Sequence, residues 1–200
     1  MPLPSSPQRV PPAGLNRDTK ILLIVGVFCG ICIVAIIALR LLGLLYPFYI
    51  PTASMAPAVS SGDHIITEGL TFLKREPHRG DIIVFGSDGI LPLEPGTKYD
   101  KRILGEPGEH LRITEGRLYI NDSLVVMTNS AGEISYPLTK QLESFNPKTD
   151  VVIPPGQYFV VGDNSTNSFD SRFWGCLPAK NIVGRMWFCY WPPNRIGEVK

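Results

Sequence analysis

One serine and one lysine stand out as residues able to do chemistry together. Ser54 lies in Ile50-Pro51-Thr52-Ala53-Ser54-Met55-Ala56-Pro57, a loop bracketed by prolines. A serine hydroxyl is a weak nucleophile and needs a base to take its proton. A neutral lysine can serve as that base. Tyr99-Asp100-Lys101-Arg102-Ile103-Leu104 offers one on a predicted strand. Two-residue alternation puts Lys101 on the face of Tyr99 and Ile103, an apolar setting that disfavours its charge, and turns Arg102 to the other face. A third polar cluster runs from Gly162 and Asp163 through Asn164, Ser168 and Asp170 to Arg172, directly after a predicted strand. On composition alone it is a loop of turn-forming and capping residues.

Other chemistries find little support. HExxH, GxGxxG, the phosphate-cradling GxxxxGKS and GxSxG are all absent. His64, His78 and His110 are scattered, and each reads as structural or solvated rather than as a triad base. Cys29 and Cys32 have CxxC spacing, but they sit in an apolar run where neither thiolate nor metal would be hydrated. No metal site and no cofactor are expected. Cys176 and Cys189 are candidates for pairing in an oxidising compartment. The 19 basic and 18 acidic residues give a net charge of +1, so no nucleic-acid partner is expected.

The elements that must position these residues begin with an anchor. Residues 1–20 are polar and proline-rich and read as a flexible cytoplasmic tail. From Ile21 to Leu39 no residue is charged, and that helix would be about 28 Å long, close to the ~30 Å hydrocarbon core of a bilayer. The stretch is too long for the apolar region of a cleaved secretory signal. The anchor is assigned to 21–45, and the apolar Leu41–Ile50 stretch, with Tyr46, Phe48 and Tyr49, suits a membrane–water boundary. Arg9, Arg17 and Lys20 ahead of the span place the N-terminus in the cytoplasm and all that follows outside.

Beyond the anchor the text alternates turn chemistry with β-branched runs. The chain has 19 glycines and 19 prolines, well above average usage, which favours many short strands over long helices. Gly62-Asp63 leads into His64-Ile65-Ile66-Thr67, and Gly80-Asp81 into Ile82-Ile83-Val84-Phe85. Glu115-Gly116 and Pro154-Pro155-Gly156 mark further turns. No helical period of useful length follows residue 50. Residues 46–200 are therefore expected to form one all-β domain of antiparallel sheets, with 128–150 as a loop insertion.

The ordered set of Ser-Met-x-Pro, Gly-Asp-Ile-Ile-Val-Phe, Lys-Arg and Gly-Asp-Asn with Asn-Ser-x-Asp-Ser-Arg resembles that of type I signal peptidases, serine proteases of the Ser–Lys type. The likeness covers Ile50 to about Ile196. It implies a membrane-bound endopeptidase that cuts signal peptides from exported preproteins at the outer face of a cytoplasmic membrane. Ser54 would attack the scissile carbonyl, Lys101 would accept its proton, and Ser168 would orient the amine. The Ser54 N–H and the Thr52 hydroxyl would form the oxyanion hole. Arg102, Asp170 and Arg172 would form one supporting ion-pair group, with Asp163 and Asn164 in a turn beside it. Ile50, Pro51 and Asp100 would line the substrate pockets, where small residues, typically alanine, are expected. The implied partners are preproteins and the lipid bilayer, and the chemistry requires no metal.

The sequence departs from that pattern at three places. Ala58 replaces a usual threonine. Ser165-Thr166 stands where Arg-Asp is common. Asp100 stands where an apolar residue is common, so pocket detail is open. Three rival readings are a specialised pilin or conjugation-protein peptidase, a self-cleaving repressor and a non-catalytic anchored β-domain. The repressor would need a DNA-binding module, for which residues 1–20 are too short.

Overall fold

The structure, a computed structural model, describes residues 16–138 and 147–200. The predicted tail lies almost wholly outside the described residues. The chain divides into two compact units, Met1–Leu41 and Leu42–Lys200.

In the first unit a single helix, α1, spans Arg17–Leu41 and buries no residue. It starts before the predicted Ile21 because Asn16 caps it, its Oδ1 accepting from the Thr19 amide at 2.8 Å. It is long and apolar enough to cross a membrane. A helix that is apolar on all sides and buried on none has a coat that only lipid or another apolar partner satisfies. The helix also stops earlier than the predicted residue 45. Gly43 turns at φ +68°, and the chain then enters the sheet of the second unit.

That unit is built from antiparallel β-structure, as expected. The strands begin with β1 (Leu45–Tyr49), β2 (His64–Glu68), β3 (Ile82–Gly86), β4 (Lys98–Gly105), β5 (His110–Thr114), β6 (Arg117–Ile120) and β7 (Ser123–Val125). They continue with β8 (Thr128–Asn129), β9 (Gly132–Glu133), β10 (Asp150–Val152), β11 (Gln157–Val161), β12 (Leu177–Pro178), β13 (Ile182–Trp191) and β14 (Gly197–Glu198). The main sheet has the order β1-β2-β13-β3-β4-β11-β12, with β14 on β13, and a smaller sheet has the order β10-β5-β6-β7. One short helix, α2 (Ser171–Trp174), follows β11 after the polar cluster.

Three apolar clusters hold the sheets, and strand alternation distributes residues among them. Along β11, Phe159 and Val161 join Leu104, Leu111, Leu118 and Ile153 between the two sheets. Tyr158 and Val160 join Ile83, Phe85, Ile103 and Trp174 on the opposite face. Along β3, Ile82 and Val84 pack with Ile50, Met55, Ile65 and Met186. The central strands are thus buried on both sides, which is why β3 and β11 read as continuous apolar runs.

The structure adds detail to three readings. Leu45–Tyr49 is a sheet strand, with Leu45 opposite Glu68 and Tyr49 opposite His64, and Tyr49 stays exposed. The proposed insertion at 128–150 is not all loop: β8 and β9 form a ribbon, and Ile134 and Tyr136 are buried in the core between the sheets. Residues 139–146 of it lie outside the described residues. Cys176 and Cys189 are free, and they pack against different clusters.

Close approach of strands makes one glycine obligatory. A Cβ on Gly184 of β13 would lie 2.6 Å from the carbonyl oxygen of Glu68 on β2. Backbone cannot yield as a side-chain tip can, so Gly184→Ala is expected to cost about 1–3 kcal/mol. A chemical-denaturation midpoint in detergent, compared with wild type, measures the loss.

Candidate active site

Ser54 lies on the loop from β1 to β2, and that loop is closed at its base by backbone bonds. The Ile50 amide donates to Asp63 O and the Gly62 amide to Ile50 O, both at 2.9 Å. Met55 is fully buried beneath the loop. Asp63, itself buried, accepts from the Ser60 amide at 2.8 Å and from Arg195 Nε at 2.7 Å. Arg195 Nη2 donates onward to Pro57 O and Ala58 O. Asn164 holds the loop from the other side: its amide donates to Ser54 O at 3.0 Å and its Nδ2 to Ala53 O at 3.1 Å. Asp63 and Arg195 were not singled out from sequence, because nothing local links residues 132 positions apart.

Lys101 comes from β4, where it is opposite Ile83 of β3. The structure brings it onto Ser54: Nζ donates to Ser54 Oγ at 2.9 Å and to the carbonyl oxygen of Asp100 at 2.6 Å. Lys101 is only 4% exposed and Ser54 only 8%. Among the described residues no carboxylate forms an ion pair with Lys101. Burial, the largest cause, pulls the amine below its ordinary pKa. Asp100 and Asp170 oppose that shift and Arg172 adds to it. Thr52 Oγ1 lies 3.5 Å from Ser54 Oγ, on the donor side.

The polar cluster divides differently from the expected single ionic group. Arg102 makes a two-pronged contact with Asp163, Nε to Oδ1 and Nη2 to Oδ2, each 2.7 Å, and Nη1 donates to Gly80 O. Arg172 makes a second such contact with Asp170, both bonds at 2.8 Å. Arg172 also donates to Ser165 Oγ and Ser165 O, so a serine fills the position where a charged residue is common. Asp163 is thus an ion-pair partner rather than a turn residue alone. Geometry separates the pairs: Arg102 and Lys101 are neighbours on β4 and turn to opposite faces, as alternation predicts.

Ser168 is buried, and its Oγ has no hydrogen-bond partner among the described residues. The expected bond to Lys101 is therefore not formed. Its placement is still close to the site, because a Cβ on Gly162 would collide with both Ser168 Oγ and Ser54 O. Ile50, Pro51 and Asp100 do come together: with Val84, Tyr99 and Met186 they line a cleft of about 40 Å³. A larger cavity of about 490 Å³, lined by Ile113, Thr114, Tyr136 and Leu138, contains none of the candidate residues. None of the three histidines bonds to Ser54 or Lys101. His110 is held by Asp150 at 2.6 Å, and His64 packs between Tyr49 and Tyr190. No group of three or more His, Cys, Asp or Glu side chains among the described residues is arranged to hold a metal.

Residues 22–191 match the family model described as "Signal peptidase, peptidase S26". The chain belongs to the signal peptidase S26 family. It is 34% identical to a probable signal peptidase I-2 of Synechocystis over 74% of this chain and 64% of that one. It is 36% identical to a signal peptidase I of Leptolyngbya laminosa, over 76% of this chain and 71% of the relative. A probable thylakoidal processing peptidase 2 of Arabidopsis thaliana is 34% identical over 76% of this chain and 40% of its own length. The chain thus spans less than two thirds of the Synechocystis and Arabidopsis relatives. The residues that match the family model include Ser54, Lys101 and the cluster from Gly162 to Arg172.

Removing one member of a buried ion pair strands the other. Asp170→Ala leaves the Arg172 guanidinium buried with only Ser165 to accept from it, and it is expected to cost about 3–5 kcal/mol. Denaturant unfolding reads this, and a loss under about 1 kcal/mol would contradict the assigned pairing.

Proposed function

We propose that this chain is a membrane-anchored serine endopeptidase that removes signal peptides from exported preproteins, with Ser54 as nucleophile and Lys101 as general base. The observation that carries the reading is the buried 2.9 Å contact between Lys101 Nζ and Ser54 Oγ. Names of relatives supply the substrate class, and the contact supplies a mechanism.

With the amine neutral, the Ser54 hydroxyl donates to its lone pair. Attack on the scissile carbonyl then moves that proton to Lys101 and forms a tetrahedral intermediate. The Ser54 N–H and the Thr52 hydroxyl receive the oxyanion. Lys101 returns the proton to the leaving amine, and an acyl-enzyme remains. Water attacks the acyl group by the same route in reverse and frees Ser54. Ser168 Oγ, buried without a hydrogen-bond partner among the described residues, would orient the amine once substrate is seated. Arg102–Asp163 and Arg172–Asp170 fix the strands and loop that carry these groups, and Asn164 fixes the carbonyl side of the nucleophile. The chemistry calls for no metal or cofactor.

A free lysine with a pKa near ~10.4 is neutral only about once in 2,500 at pH 7. Left unshifted, that would add roughly 4.6 kcal/mol to the barrier. Burial of Lys101 works in the needed direction. It also weighs against a non-catalytic binding domain, because a buried amine with no ion-pair partner among the described residues destabilises a fold and offers a mere scaffold nothing in return.

The helix α1 would hold the domain at the bilayer where the substrate's own apolar segment lies, converting a volume search into a surface search. The N-terminus would face the cytoplasm and the catalytic domain the outer side of the cytoplasmic membrane. A reporter fused after Lys200 should then behave as exported, and cytoplasmic behaviour would contradict this orientation.

The base assignment has a sign. A depressed pKa means activity is low in acid, where Lys101 is charged, and rises with pH as the amine loses its proton. Lys101→Arg cannot lose its proton and should lower kcat/KM by at least about a thousandfold while remaining folded. A pH–rate profile of detergent-solubilised protein on a signal-peptide substrate, with Ser54→Ala as the inactive control, tests both. Activity retained in Lys101→Arg would assign the base elsewhere.

A further inference from the structure

One charged neighbour of the Lys101 amine has no partner of its own among the described residues. The Asp100 carbonyl oxygen accepts from Lys101 Nζ at 2.6 Å. Ordinary bond lengths then keep the carboxylate carbon of that same residue within about 8 Å of the amine. Asp100 Oδ2 is buried and accepts no hydrogen bond. Lys98, Tyr49 and Tyr99 line the same cleft, and none of them bonds to that oxygen. Other charges around the amine come in pairs. Asp170 and Arg172 act on it from the cluster after β11, but each neutralises the other through two bonds at 2.8 Å. Arg102, on the opposite face of β4, is matched by Asp163. Ile83 of β3 lies opposite Lys101 and Ser54 of the nucleophile loop bonds to it, and neither carries charge.

We propose that Asp100 tunes the base: its carboxylate holds the proton on Lys101 to higher pH than an uncharged side chain here would, and so fixes where the acid limb of the rate profile falls. The inference rests on Lys101 being the base, as proposed above. A negative charge favours the ammonium over the neutral amine, and water screens the effect little when both groups are withdrawn from it. A guanidinium beside the carboxylate would cancel most of that field, which is the arrangement at Asp63, Asp163 and Asp170. Burial is the largest influence on the amine and lowers its pKa, while Asp100 is the next and works against it. The reverse also holds, since burial raises the Asp100 carboxyl and the lysine lowers it. The two residues therefore titrate as a linked pair, and the observed acid limb belongs to both. Asp100 is a positioning residue in this account: it acts on the proton of Lys101 and makes no contact with the reacting carbonyl.

The test is the pH dependence of kcat/KM for the full chain in detergent, in wild type, Asp100→Asn, Asp100→Leu and Asp100→Glu. Each profile is scaled to its own plateau, so that a general loss of activity drops out. The midpoint of the acid limb should fall in the Asn and Leu variants. One pH unit below the wild-type midpoint, the fraction of plateau activity they keep should rise at least about twofold. Asp100→Glu retains the charge and should retain the wild-type midpoint. The ε-carbon resonance of Lys101, titrated by NMR in the same proteins, gives the same comparison for a variant that no longer turns over. A midpoint unmoved or raised in both neutral variants would overturn the proposal. So would an equal fall in Asp100→Glu, because shape rather than charge would then be responsible. If Lys101→Arg retains activity, the base reading fails and this inference with it. An inactive Lys101→Arg beside unmoved midpoints removes this inference alone.

Discussion

A lysine amine buried against a serine hydroxyl, with no ion-pair partner among the described residues, is the constraint around which this domain is organised. Bringing an ammonium out of water costs several kcal/mol unless it is paired or loses its proton. Arg102 and Arg172 are equally buried and take the first route, each gripping one aspartate through two bonds. Among the described residues, Lys101 donates to the hydroxyl of Ser54 and to a backbone carbonyl. Burial therefore depresses its pKa, and the proton that a folded scaffold sheds is the one a general base must lack.

The surrounding residues keep that contact in register. Ser54 is on a loop, and loops move unless something ties them. Here Asp63 and Arg195 hold the loop from beneath and Asn164 binds the carbonyls of Ala53 and Ser54. Lys101 is on a central strand, paired on both sides by the buried strands β3 and β11. Gly162 permits the closest approach, since any side chain there would displace Ser168 or the Ser54 carbonyl. Two buried guanidinium–aspartate pairs, Arg102–Asp163 and Arg172–Asp170, brace β4 and the cluster after β11.

Much of this was legible in the sequence, for local reasons. Turn residues before β-branched runs located the strands, and an uncharged run of bilayer length located α1. Two-residue alternation separated Lys101 from Arg102. What stayed hidden depends on distance in sequence. Leu45–Tyr49 carries aromatic residues that suit an interface, and nothing local in them signals the pairing with β2. Ile134 and Tyr136 lie in a polar stretch without periodicity, yet they fill the space between the sheets. The partner of Arg102 is 61 residues away, so the single ionic group that the resemblance implies divides into two pairs only once the strands are in register. Ser168 lies near the site without bonding the amine, which donates to Ser54 Oγ and Asp100 O.

The central claim is that Lys101 is uncharged in the working protein, and its amine can be titrated directly. Protein labelled with carbon-13 at the lysine ε-carbons, in detergent and with the Lys101 resonance identified by its loss in Lys101→Arg, reports that titration by NMR. The account predicts a midpoint well below the ordinary lysine value of ~10.4. A midpoint at or above that value would mean the buried amine keeps its proton, and Lys101 would not be the base.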